Sequence, residues 1–134
     1  MTPKIIYEDE SLFVVEKPFG WITDSSNTTT NQPVLQKWVA DNFQFPINNF
    51  QFRNGIVHRL DKETSGLILI AKNKVAFEDL QRQFKERVIH KTYVALSHGK
   101  VEPAEGVINE PVDRLPWLRD RFGVMAGGRE AVTK

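Results

Sequence analysis

The chain has 134 residues, 40% of them hydrophobic and including nine Phe and three Trp, so it can bury a core and is not disordered as a whole. It contains no cysteine, which excludes disulfides, thiolate nucleophiles and Cys-based zinc sites. The formal charge is only +1, yet residues 50–100 hold ten Lys/Arg against five Asp/Glu, an excess of +5, while the remainder carries −4. A basic middle of this kind suits a polyanion, although a solvated helix face accounts for such charges as well.

Ile5-Ile6-Tyr7 and Leu12-Phe13-Val14-Val15 are β-favouring runs on either side of the acidic turn Glu8-Asp9-Glu10-Ser11, and they predict a hairpin. Lys17-Pro18-Phe19-Gly20 ends the second strand, because Pro has no ladder donor and Gly permits a sharp turn. The Ser-, Thr- and Asn-rich stretch 24–32 reads as a mobile loop. Val34, Leu35, Trp38 and Val39 have helical spacing, which predicts a short helix over 33–43. The stretch 43–52 is aromatic and polar without a period. Gly66-Leu67-Ile68-Leu69-Ile70-Ala71 predicts a strand covered on both faces. Asn73 is placed to cap a helix whose apolar positions are Phe77, Leu80, Phe84 and Val88. Alternation around Tyr93, Ala95 and Ser97 predicts a strand over 90–98. A short strand is expected in 106–111, a charged loop around Trp117 over 113–123, and the start of a strand at 129–133. No repeat or linker divides the chain, so one domain is expected. No apolar run approaches the ~20 residues that span a bilayer, and the N-terminus lacks a signal-peptide core. The chain therefore reads as soluble and cytoplasmic, with no membrane partner.

The densest chemistry lies in Ile56-Val57-His58-Arg59-Leu60-Asp61-Lys62-Glu63-Thr64-Ser65-Gly66, where two apolar residues lead into a charged, hydroxyl-rich turn before a buried strand. Loops anchored by rigid strands are where catalytic side chains are displayed. On the residues alone, two readings stay open: Asp61 is a reactive carboxylate, or Arg59 and Asp61 form a structural ion pair while Thr64 to Gly66 close a turn. His58 is similarly a general acid or a hydrogen-bonding group of the turn. His90 and His98 have no carboxylate or Cys at metal-ligand spacing, so no metal site is expected. Lys72, Arg82, Lys85, Arg87 and Lys91 form a candidate phosphate track or an ordinary charged surface. Trp21 and Trp38 read as packing residues, and Trp117 is open to either packing or base stacking.

His58-Arg59-Leu60-Asp61-x-x-Thr64-Ser65-Gly66-Leu67, followed by Ala71-Lys72, resembles the signature of the RluA-type RNA pseudouridine synthases. The run from Ile6 to Asp9, continued by Val14 to Gly20, resembles that family's opening hairpin and Lys-Pro-x-Gly turn. Lys91-Thr92-Tyr93-Val94-Ala95-Leu96 resembles its Lys-x-Tyr strand, and Glu130 to Thr133 the start of a later one. The resemblance implies an α+β fold with a mixed, largely antiparallel central sheet flanked by helices and loops, incomplete in this chain. It implies isomerisation of uridine to pseudouridine in ribosomal or transfer RNA, with Asp61 as the catalytic carboxylate, Tyr93 against the uracil and Arg59 beside the opened stack. Lys91 and His58 complete the expected substrate-binding set. The family uses neither metal nor organic cofactor, and the target base must leave its stack to be reached.

The chain departs from the family in three places. It stops at Lys134, where members continue through a Thr-Gly-Arg-x-His-Gln-Ile-Arg type segment whose arginine pairs with the catalytic Asp. The expectation is a catalytic domain over 1–134 truncated at its C-terminus, weak as an isolated isomerase. Its unfinished sheet would favour self-association or a completing chain. Asp24 stands where a histidine is usual, and Trp21 replaces an aliphatic residue. Two other readings remain: a non-catalytic RNA-binding domain on the same scaffold, and a hydrolase using Asp61 and Glu63. The second needs two carboxylates converging on one bond, which their spacing does not supply.

Overall fold

The computed structural model describes the chain apart from residues 28, 30, 48 and 49 and the side chains of Phe50 and Arg119. It divides into two compact units, Met1–Lys91 and Thr92–Lys134.

In the first unit, β1 (Lys4–Glu8) and β2 (Leu12–Lys17) form the expected hairpin, and β3 (Gly66–Ala71) pairs antiparallel on the other side of β2. The hairpin turn is set by Asp9, whose Oδ1 accepts the Ser11 and Leu12 N–H groups at 2.8 and 2.9 Å. Alternation then buries Phe13, Val15 and Lys17 on one face of β2. Ile68 and Ile70 are the matching buried positions of β3, while Leu67 is exposed, so this strand is not covered throughout on both faces.

Helix α1 (Leu35–Asn42) inserts Leu35 and Val39 into the core formed by Phe13, Val15, Ile56, Leu60, Ile68 and Ile70. Phe43 follows in extended conformation, stacked on Phe45, tilted against Phe13 and edge-on to Trp38, so the aromatics that open this stretch pack on the core without a helical period. Helix α2 (Lys74–Lys85) begins as expected at Asn73, whose side chain accepts the Ala76 N–H at 2.9 Å. Phe77 and Leu80 face a second core cluster with Ile47, Val57 and Ala71. The helix ends before Val88: the Arg87 N–H donates to Phe84 O and the Val88 N–H to Gln83 O, with Arg87 left-handed at φ 58°. Val88 is consequently exposed rather than a fourth core position.

The second unit contains a two-stranded pair, β4 (Ile108–Asn109) with β7 (Val132–Thr133), and a hairpin, β5 (Val112–Leu115) with β6 (Leu118–Val124). The hairpin overturns the loop expected over 113–123. It turns at Pro116-Trp117, and the apolar phase of β6 (Leu118, Phe122 and Val124) is broken by Asp120 and stays exposed, so no buried face marks the strand. The strand expected over 90–98 is absent too. Its alternation is present, but a strand needs a partner for its N–H and C=O groups, and none pairs with this stretch among the described residues. No helix of the described residues is long and apolar enough to cross a membrane. The loop expected over 24–32 and the aperiodic stretch 43–52 each include positions outside the described residues.

Candidate active site

The Asp61 turn is launched from an unusual piece of backbone. At the end of a short 3-10 segment (Phe50–Gly55), Arg53, Asn54 and Gly55 are all left-handed, at φ 49°, 51° and 85°. Such conformations cost about 1 kcal/mol or more for non-glycine residues and persist only where surroundings enforce them. Here the Asn54 amide donates to Gln36 O at 3.0 Å, and the Arg53 Nε and Nη2 donate to Asp24 Oδ1 at 2.9 and 2.5 Å. The chain then runs beside β3, with Ile56 bridging Ile70.

His58 lies along the edge of β3, where its Nε2 accepts the Leu69 N–H at 3.0 Å and its ring stacks on Phe84 at 4.5 Å. The imidazole thus replaces a missing strand partner, and its proton sits on Nδ1. Burial, with smaller contributions from Lys91 and Arg53, pushes its pKa down from 6.5 to about 4. It is neutral at pH 7 and serves the fold as the hydrogen-bonding group of this turn.

Asp61 itself is solvent-exposed, whereas the backbone carrying it is tied down. The Leu60 carbonyl accepts the Thr23 hydroxyl at 2.7 Å, the Asp61 carbonyl accepts the Thr64 N–H at 3.1 Å, and the Lys62 carbonyl accepts the Gly20 N–H at 2.8 Å. Three consecutive peptide groups are thereby fixed under a carboxylate that makes no hydrogen bond or ion pair among the described residues. Arg59 is 68% exposed at its side chain and reaches Asp24 Oδ2 at 3.9 Å, with no ion pair to Asp61 among the described residues. The structural Arg59–Asp61 pair left open by the sequence therefore does not form. Lys62 Nζ donates to Gln32 Oε1 at 2.8 Å.

Sequence reasoning missed Lys17. Its side chain is 0% exposed, yet its ammonium donates to Trp21 O at 2.7 Å and Pro18 O at 3.2 Å. Burial lowers its pKa, and the negative charge of Asp61 opposes that shift. The adjoining Pro-x-Gly turn was the visible signal; the burial of the ammonium was not.

The candidate phosphate track separates into committed and free cations. Lys72 pairs with Glu8 at 2.6 Å, contacts Asp9 O, and lies 5.4 Å from the Phe45 ring centroid. Arg82 is held by Asp79 and Glu86 on its own helix. Lys85 and Arg87 make no ion pair among the described residues. Lys91 lies 5.8 Å from the Phe84 ring centroid, on the side-chain stack that includes His58. Tyr93 belongs to the second unit and is 57% exposed. Trp38 packs on the core, as expected, and Trp117 is exposed at its hairpin tip. Trp21 is half-buried and donates its indole N–H to Met1 O at 3.1 Å. Among the described residues, no three His, Cys, Asp or Glu side chains gather as metal ligands.

Comparison with known proteins joins this geometry to a family. Residues 11–133 match the family model described as RNA pseudouridylate synthase. An uncharacterised RNA pseudouridine synthase of Aquifex aeolicus is 42% identical over 130 residues, covering 97% of this chain and 41% of the relative. The ribosomal large subunit pseudouridine synthase D of Nitrosomonas europaea is 37% identical over 130 residues, covering 97% of this chain and 37% of the relative. Among solved structures, human RNA pseudouridylate synthase domain containing 1 aligns with a TM-score of 0.63 and 28% identity, over 86% of this chain and 40% of that one. The chain thus spans about two-fifths of the length of the relatives it matches.

Proposed function

The chain belongs to the RNA pseudouridylate synthase family, and on that premise we propose that Asp61 is the carboxylate with which the protein isomerises uridine to pseudouridine in ribosomal or transfer RNA. The reaction breaks the N1–C1′ bond, forms a C5–C1′ bond, removes the C5 proton and leaves a proton on N1. Atoms and electrons balance without oxidant, reductant or hydrolytic water. Asp61 acts at the ribose C1′, at uracil C6 or as a base. Arg59 sits beside the opened stack or a phosphate, Lys91 adds a phosphate contact, and Tyr93 places its ring against the base, where an aromatic face holds any pyrimidine. His58 supports the site by holding the turn to β3.

The observation that carries the reading is the exposed Asp61 carboxylate on a backbone fixed at residues 60, 61 and 62. A reactive group on a preorganised support loses little to reorganisation when substrate arrives. The relatives named for the large ribosomal subunit favour ribosomal RNA as the substrate.

The test incubates the product of the native gene with uridine-containing ribosomal and transfer RNA and maps pseudouridine, alongside Asp61→Asn. Asp61 is exposed, so the substitution leaves the fold intact. Pseudouridine formed by the wild type and lost in Asp61→Asn is expected. RNA binding without product from either protein identifies a non-catalytic binding domain, and release of free uracil identifies a hydrolase.

A further inference from the structure

We propose that Thr23 is the positioning residue for Asp61: its buried hydroxyl locks the peptide preceding the carboxylate and so sets where that carboxylate stands. The inference rests on the assignment of Asp61 above. Thr23 is 2% exposed, and its Oγ1 both donates to Leu60 O at 2.7 Å and accepts from the Leu60 N–H at 3.2 Å. One hydroxyl therefore satisfies both backbone groups of a buried residue 37 positions away, as a strand neighbour would. Leu60 is itself packed in the core, so its side chain and both its peptide groups are held.

Thr23 is in turn anchored by α1. The Gln36 N–H donates to Thr23 O at 3.1 Å and the Leu35 N–H to Ile22 O at 2.8 Å, so the first free donors of the helix grip the segment carrying Thr23. The buried Gln36 accepts the Ser25 N–H at its side-chain Oε1 at 2.8 Å and the Asn54 amide at its backbone carbonyl at 3.0 Å. Flanking residues of the same segment complete the grip: Gly20 holds Lys62 and Asp24 reaches Arg59. Asp61 is thus bracketed on both sides by residues 20–24. The Lys17 ammonium, bonded to the carbonyls of Pro18 and Trp21, supports that bracket from beneath.

The chemical consequence follows from the sensitivity of reactions to placement, where a displacement of about 1 Å costs on the order of a hundredfold in rate. Thr23→Val keeps the shape of the side chain and removes only the hydroxyl. Thr23→Ser keeps the hydroxyl and removes only the methyl. In the product of the native gene, Thr23→Val is expected to lower kcat on the order of a hundredfold with KM for RNA unchanged, and Thr23→Ser to restore it. A loss of kcat in Thr23→Ser equal to that in Thr23→Val would overturn the proposal, since packing of the methyl would then be responsible. Unchanged kcat in Thr23→Val would overturn it as well. If the wild type forms no pseudouridine, the functional reading fails separately. Backbone NMR relaxation then decides the positioning claim. New exchange confined to residues 60–62 in Thr23→Val, absent from Thr23→Ser, supports the clamp; residues 60–62 as rigid in Thr23→Val as in the wild type refute it. Should Thr23→Val fail to fold, Thr23→Ser alone still discriminates, because wild-type rigidity at 60–62 is required of it.

Discussion

Gly55 and Gly20 offer a controlled comparison, because their φ angles nearly coincide and their surroundings are opposite. Their φ angles are +85° and +83°, so replacing either with alanine places a side chain in the left-handed region, at about 1 kcal/mol. A β-carbon at Gly20 meets nothing within 4 Å. At Gly55 it overlaps the Ala71 carbonyl oxygen and approaches both Ala71 C and Ile70 Cγ2 at 3.2 Å. That oxygen is backbone at the end of β3 and cannot swing aside, so the turn must lift away from the strand. The Ile56–Ile70 bridge and the packing of two fully buried isoleucines then loosen together. Overpacking of this kind costs about 1–3 kcal/mol beyond the backbone penalty. We expect about 1 kcal/mol for Gly20→Ala and about 3–4 kcal/mol for Gly55→Ala, a large share of the roughly 5–15 kcal/mol that holds a domain together. Urea unfolding followed by tryptophan fluorescence measures both, in a Trp117→Phe background so that Trp21 and Trp38 report on the first unit alone. Equal midpoint shifts for the two variants would refute the account, since only the neighbouring carbonyl distinguishes them.

Three further outcomes are expected. His58, held neutral with a pKa near 4, binds a proton less readily folded than unfolded, so stability is complete above about pH 6.5 and falls as pH drops toward 4. After allowance for solvent screening of a partly exposed ring, the loss is on the order of 2 kcal/mol. His58→Gln should flatten that acid limb, and a wild-type urea midpoint no more pH-sensitive between 6.5 and 5 than the variant's would contradict it. Asn73→Ala removes the acceptor for the Ala76 N–H and should cost about 1 kcal/mol in thermal unfolding; a neutral result would mean that water replaces the cap. Finally, Arg59→Gln should reduce the dependence of log K for RNA on log salt by about 0.7–0.9, whereas Lys72→Gln should leave it unchanged because Lys72 is occupied by Glu8 and Asp9. Equal slope changes in a salt titration would place both cations on phosphates.

Local features of the chain were legible without the fold. The β1–β2 hairpin, α1, the Asn73 cap and the break at Lys17-Pro18 each rest on neighbours within a few residues, and all stand where periodicity and turn chemistry placed them. The His58-to-Gly66 block likewise carried the resemblance to the pseudouridine synthases on its own residues. Elements that depend on distant partners were not legible. The alternation of 90–98 is a real strand pattern, but a strand exists only where another backbone pairs with it. The β5–β6 hairpin shows the converse, since its pairing supplies structure that a broken, exposed apolar phase signals only weakly.

The site divides along the same line. Sequence alone brought Asp61 forward as the candidate carboxylate, through the family resemblance that the residues around it carry. Tertiary structure decided what holds it: the hydroxyl of Thr23 on Leu60, the amide of Gly20 on Lys62, the carboxylate of Asp24 on Arg53, and the buried ammonium of Lys17. Most of these contacts join segments tens of residues apart, and a buried lysine reads in sequence like an exposed one. Their geometry is set by which strands and helices pack together, information that no local window of residues contains.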